Sequence, residues 1–248
     1  MSNRAGAREI WLSRANRDDP VMFTNFAGAD NGTPRWSPDN SALVFDSEIK
    51  GNREIVIADT DGRKVHQITH NAWEDAMPSW SHDGRWIYFT SNRNGNFQIY
   101  KVSSAVGESP STPAVQVTTG GGFNPIESPD GKYLYYVKDR DLGGLMRRPV
   151  GQLVTEESVL DSMKNYGWWT VGPDGIYFLE REDERPNAKV HLKFLEIDSH
   201  RIIDLKTLPS PILRPCFAAI TISPDKRHVI FEQNENWNSN IVLMENFR

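Results

Sequence analysis

The chain has 248 residues, a formal net charge of −5, 38% hydrophobic and 25% charged residues. That is enough apolar content to build a large core and too much for a disordered segment. No run of Lys or Arg exceeds two residues, which excludes the basic footprint of a nucleic-acid binder, and the single cysteine, Cys216, excludes an internal disulfide framework and a cysteine-based zinc site.

The N-terminal stretch MSNRAGAREIW is polar and lacks the apolar core of a signal peptide, and no window holds ~18 consecutive apolar residues. As written, the chain reads as cytoplasmic and without membrane insertion, with a periplasmic location open if it is a fragment of a longer protein. EIWLS and PVMFTNF, the first two apolar segments, read as strands.

From Trp36 onward one pattern recurs: WSPDNSALVFDS, WSHDGRWIYFTS from Trp80, ESPDGKYLYYVK from Glu127, VGPDGIYFLE from Val171 and ISPDKRHVIFEQ from Ile222. The small residues that anchor these units, at 37, 81, 128, 172 and 223, are 44, 47, 44 and 51 residues apart. A strand ends at each anchor. A second carries apolar residues at alternate positions, Leu43/Phe45, Ile87/Phe89, Leu134/Tyr136, Ile176/Phe178 and Val229/Phe231, the period of a strand with one buried face. Third strands follow a polar turn (EIVIAD, QIYKV, LMRRPV, VHLKFLEID, NIVLMEN), and shorter fourth strands follow those (KVHQIT, AVQVT, SVL, RIIDL). No segment has a convincing helical period. Units of this length with four strands are β-propeller blades. The expected organisation is a single all-β propeller domain over 1–248: a half-blade at 1–26 and blades at 27–70, 71–119, 120–161, 162–206 and 207–248.

In Ser-Pro-Asp-Gly, Pro fixes the first corner, Asp bonds the backbone two residues on, and Gly takes a positive φ. Asn40 fits the Gly position next best and Lys226 fits it poorly.

These motifs resemble the PD40 repeats of TolB-type β-propellers, with SWSHDGRWIYFTSNRNGNFQIYKV the closest match. More narrowly, the order of units and the ending NIVLMENFR are similar to the C-terminal propeller of bacterial winged-helix regulators, although no winged-helix segment is present. The resemblance implies six blades and the binding of peptides or partner proteins rather than catalysis, with no cofactor. SNRAGAREIW aligns with SNRNGNFQIY from Ser91, so the chain begins inside a blade. One expectation is a piece of a longer propeller; the alternative is that PVMFTNF supplies the fourth strand of the last blade and closes a ring of five.

Ser81, His82 and Asp83 stand together like parts of a hydrolytic triad, but consecutive residues on a tight turn point apart, and the other units keep the turn with Pro in place of His82. No G-x-S-x-G elbow exists, and Asp83 touches Gly84 directly, which an Asp-box of a sialidase does not allow. Glu74 and Asp75 are the acids to weigh for a funnel glycosidase; the other enzyme alternative is the propeller of a prolyl oligopeptidase-type peptidase. The histidines show no metal-ligand spacing, so no metal site is read. The loops leading into each innermost strand gather at one face, and they place Asn31, Trp73, Glu74, Asp75, Phe123, Asn124, Tyr166, Trp168 and Arg214 on one rim. Aromatic anchors among amide and charged neighbours suit a peptide- or protein-binding surface. Part of these aromatics, and Trp169 with them, are also candidates for packing between blades.

Overall fold

The computed structural model describes residues 8–14, 20–26, 29–61, 64–105, 113–140, 143–152, 156–163, 167–183, 185, 188–208, 220–235, 238–245 and 247. All of the regular structure among them is strand. The chain divides into two compact units, Met1–Pro125 and Ile126–Arg248.

The first unit opens with β1 (Trp11–Leu12) and β2 (Val21–Met22), an antiparallel pair. Val21–Met22 thus behaves as a fourth strand, but its partner is the Trp11–Leu12 segment of its own half-blade. Two four-stranded blades follow. Blade A holds β3 (Asn31–Trp36), β4 (Ala42–Ile49), β5 (Asn52–Asp59) and β6 (Val65–Gln67). Blade B holds β7 (Asp75–Trp80), β8 (Trp86–Ser91), β9 (Gln98–Ser103) and β10 (Val115–Gln116). Each is an antiparallel meander in chain order. Blade C is β11 (Phe123–Glu127), β12 (Tyr133–Val137), β13 (Leu145–Pro149) and β14 (Glu157–Leu160). Blade D is β15 (Trp169–Val171), β16 (Ile176–Arg181), β17 (Val190–Glu196) and β18 (Arg201–Leu208). Blade E shows three strands, β19 (Ile220–Ile222), β20 (His228–Glu235) and β21 (Asn238–Glu245).

Alternation puts the two faces of each blade to separate use. On blade A, Leu43, Phe45, Val56 and Ala58 pack against Ile10 of the half-blade, while Val44, Ile55 and Ile57 turn the other way to meet Ile87, Phe89 and Tyr100 of blade B. In the second unit Tyr177, Leu179, Val190 and Leu192 meet Ile220, Val229 and Phe231. Burying each such side chain contributes about 1.5–3 kcal/mol, so within each unit these blades are held by face-to-face apolar contact.

The Ser-Pro-Asp-Gly turns are built as their chemistry requires. The Ser81 hydroxyl donates to Asp83 at 2.7 Å and accepts the Trp86 N–H at 2.9 Å, and Ser37, Ser128 and Ser223 repeat the pattern. Gly84, Gly131, Asn40 and Lys226 all take the left-handed conformation, with φ of 72, 71, 60 and 57°. The turn of blade D starts from Gly172 instead, because a Cβ there would stand 2.6 Å from the Tyr177 ring.

The innermost strands start earlier than the sequence pattern implies. Asn31, Asp75 and Phe123 are the first residues of β3, β7 and β11 rather than loop. In β3 and β7 a bulge is the reason. The ladder shifts register between Gly32 and Arg35 and between Ala76 and Ser79, where Thr33 and Met77 take φ of 41 and 55°; Asn124 takes 50°. All three are followed by Pro, at 34, 78 and 125, which has no N–H to leave unpaired at a bulge. A bulge breaks the period of two and a proline reads as a strand breaker, so the pattern ahead of them looks like loop.

Candidate functional site

In blades A and B the loops leading into β3 and β7 and the turns joining second to third strands lie at one end and bond to each other. Glu48 N–H donates to Asp30 C=O, and Asn52 Nδ2 donates to the carbonyls of Asn71 (3.0 Å) and Trp73 (2.6 Å). The Ser-Pro-Asp-Gly turns lie at the opposite end of the same strands.

Behind this face a latch repeats three times. Thr24, Thr69 and Thr118, past the fourth strands, donate their hydroxyls to Glu9, Glu54 and Gln98 and accept the N–H of Ile10, Ile55 and Ile99. The acceptor side chains then reach the next loop: Glu9 takes Asn31 Nδ2 (2.9 Å), Glu54 the Asn71 N–H (2.9 Å) and Gln98 the Gly121 N–H (3.0 Å). Each blade therefore fixes where the following loop begins.

The loop 71–75 is the most fully braced. Asn71 Oδ1 accepts the Trp73 N–H (2.8 Å), Asn71 Nδ2 donates to Asp75 (2.7 Å), and Asn92 Oδ1 accepts the Glu74 N–H (3.0 Å). On this frame the Trp73 side chain is 46% exposed and Glu74 is exposed beside it. Asp75 points inward: it is fully buried, and both its oxygens take Arg93 Nη2 at 2.9 and 3.1 Å. Arg93 lies over the rings of Tyr100 and Phe89 at 4.6 and 5.2 Å, a cation–π seat.

A second ion network joins blade A to blade B. Arg8 pairs with Asp30, Arg53 bridges Asp30 and Asp46, and the buried Asp46 carboxylate also accepts the Thr33 hydroxyl and, across to the next blade, the Met77 N–H at 3.2 Å. Burial lowers the pKa of Arg53, but Asp46, Asp30 and, further off, Glu74 outweigh it, so the guanidinium is held protonated above its ordinary value.

Of the nine rim residues, the structure sets Trp73 and Glu74 in solvent. Asn31, Asp75, Phe123, Asn124 and Trp168 are buried instead. Asn31 donates to Glu9 and to the Arg8 carbonyl, Phe123 lies 5.2 Å from the Phe97 ring, Asn124 takes a positive φ ahead of Pro125, and Trp168 belongs to the core around Tyr177. Trp169 is buried too. Tyr166 and Arg214 lie outside the described residues. The asparagines that brace the loop, Asn52, Asn71 and Asn92, escape a search for ligand-facing groups, although Asn71, two residues before Trp73, is the spacing of an Asx turn.

At the other end, Ser81 and Asp83 spend their polar atoms within their own turn, and His82 is exposed. Hydrogen bonds from the serine hydroxyl first, and then from the N–H two residues on, hold Asp39, Asp83 and Asp130 down at about 2. An acid so stabilised as its anion is a poor proton donor.

Four-stranded antiparallel blades packed face to face, with short turns at one end and hydrogen-bonded loops at the other, define a β-propeller. The family model for the TolB beta propeller domain matches residues 1–147, and the chain belongs to that family. It is 30% identical over 133 residues to the uncharacterized protein Atu1656 of Agrobacterium fabrum, covering 53% of this chain and 43% of that protein. It is 27% identical over 179 residues to the uncharacterized peptidase YuxL of Bacillus subtilis, covering 68% of this chain and 24% of that one. The chain thus spans less than half the length of these curated relatives. Among solved structures, TolB from Acinetobacter baumannii superposes with a TM-score of 0.78 at 18% identity, over 100% of this chain and 60% of that one.

Proposed function

We propose that residues 1–248 act as a non-catalytic module that binds a protein or peptide through the loop face, with Trp73 as an anchor. One observation carries the reading: a large aromatic side chain stands in solvent on a loop whose backbone is already pinned by Asn52, Asn71 and Asn92. Such a loop loses little freedom on binding, and tryptophan is the residue type most enriched among binding hot spots. Membership of the TolB family and the likeness to a TolB structure agree with it. The finer context we propose is a larger bacterial regulator, of the kind in which a winged helix precedes the propeller, or an envelope protein; the unit order and the NIVLMENFR ending support it.

The test is site-specific photo-crosslinking in cells, with the reactive residue placed at the exposed Ala72 beside Trp73 or, at the opposite end, at His82. A discrete crosslinked partner from position 72 and none from 82 is expected. Crosslinks from both positions alike, or from neither, refute the reading.

The likeness to YuxL favours a second reading, in which the propeller serves a hydrolase as its non-catalytic gate. A funnel hydrolase acting through Glu74 or Asp75 makes a separate demand: a hydrolytic activity that is lost in Glu74→Gln or Asp75→Asn.

A further inference from the structure

We propose that Trp73 and Glu74 form a seat for a basic side chain, so that the segment bound at the loop face inserts a Lys or an Arg there. This rests on the reading of that face as a binding surface and adds the chemistry of what it takes.

Charge balance around the loop is the first support. Asp30 is answered by Arg8 and Arg53, Asp46 by Arg53, and Asp75 by Arg93. Glu74 is different. Its N–H is bound by Asn92, but its exposed carboxylate has no hydrogen bond or ion pair among the described residues. Arg53 is near enough to feel it. Yet Arg53 cannot turn to it without leaving Asp46, which is 2% exposed, as a buried carboxylate stripped of its cation. Among the described residues, the negative charge on the rim is therefore left unanswered.

The second support is the exposed indole of the residue before it. An aromatic face attracts a cation through its quadrupole, most strongly in tryptophan, and a neighbouring carboxylate adds a charge-assisted partner for the same group. The protein uses this chemistry internally, with Lys101 Nζ 4.4 Å from the centre of the Trp86 ring and Arg147 4.6 Å from that of Tyr133. There both members belong to the fold; at Trp73 only the aromatic and the acid do. An acidic ligand would meet repulsion from Glu74, and a purely apolar one would desolvate that carboxylate without repaying it. Arginine suits the seat better than lysine, since its planar head stacks and forks at once.

The experiment selects random phage-displayed dodecapeptides on the full chain and measures synthetic copies of the winners by calorimetry against wild type, Glu74→Gln, Trp73→Phe and Trp73→Ala. Winners rich in Arg and Lys are expected, with affinity falling as salt rises. Glu74→Gln should weaken them about five- to tenfold, Trp73→Ala by about tenfold or more, and Trp73→Phe by less than Trp73→Ala. Glu74→Gln is isosteric and exposed, so its result stands even if Trp73→Ala disturbs the loop. Winners that need Trp73 but lack basic residues and ignore Glu74→Gln overturn the basic seat and leave the binding face intact. No winners, or winners indifferent to every one of these substitutions, overturn both.

Discussion

Replacing Asp75 by Asn tests whether this acid belongs to the architecture or to a reaction. Two donors converge on its two oxygens, Arg93 Nη2 and Asn71 Nδ2, and an amide offers a single acceptor oxygen while its NH2 opposes whichever donor is left. Removing one member of a buried ion pair costs about 3–5 kcal/mol. The Arg93 side chain is 17% exposed and rests on two aromatic rings, so water and the rings compensate in part, which argues for the lower end, about 3 kcal/mol. With a urea dependence of about 1–3 kcal/mol per molar, the unfolding midpoint should drop by roughly 1–3 M. Asp75→Asn/Arg93→Met, which leaves an apolar stem over Phe89 and Tyr100, should recover at least about 1 kcal/mol of the loss. Tryptophan fluorescence in urea reads both variants. A midpoint moved by less than about 0.3 M, or a double variant as unstable as the two single losses added, would show that the pair does not hold this loop.

Ser81→Ala should cost about 1 kcal/mol in thermal unfolding by removing the hydroxyl that bonds Asp83 and the Trp86 N–H, whereas His82→Pro, which restores the residue found in the other four turns, should be neutral or stabilise by up to about 1 kcal/mol. In an NMR titration the Asp83 carboxylate should titrate near 2, against an ordinary 3.8, and move back up in Ser81→Ala. Because its folded value is depressed, what the ionised turn adds to stability is complete above pH ~4 and disappears as the pH falls through 2, so acid should weaken Ser81→Ala less than wild type in that window. Gly122→Ala would set a Cβ 2.6 Å from Ile99 Cγ1 and 3.0 Å from the Ile99 backbone N, and should destabilise by about 1–3 kcal/mol in chemical denaturation while Gly95→Ala, with nothing within 4 Å, loses only what its φ of 89° demands.

The blades were legible because their signals are local. Alternation at Ile87/Phe89 and the Ser-Pro-Asp-Gly corner each need only a few neighbouring residues to act, and β8, β12 and β16 lie where that pattern puts them. Exposure at the rim was less legible, because it depends on partners far along the chain. Asp75 is buried by an arginine 18 residues on, and Trp168 by strands of the following blade, while Trp73, in a similar loop, stays out. Composition gives no means of telling the two tryptophans apart. The left-handed residues Thr33, Met77 and Asn124 hide the strand starts for a further reason, since a left-handed residue before proline is a tertiary choice that mimics a break. A Pro three residues before the anchor at 37, 81 and 128 is the trace they leave in the sequence.

The carboxylate of Asp46 carries a consequence for how such a repeat can be rearranged. It clasps the bulge of its own blade through Thr33 and that of the next through the Met77 N–H, but Thr90 stands at its place in blade B and Val137 in blade C. Among these three blades the clasp belongs to blade A alone. A blade cut out and reinserted one place later would meet a neighbour with no hand extended, so the modules of this protein, alike in outline, are addressed to particular positions.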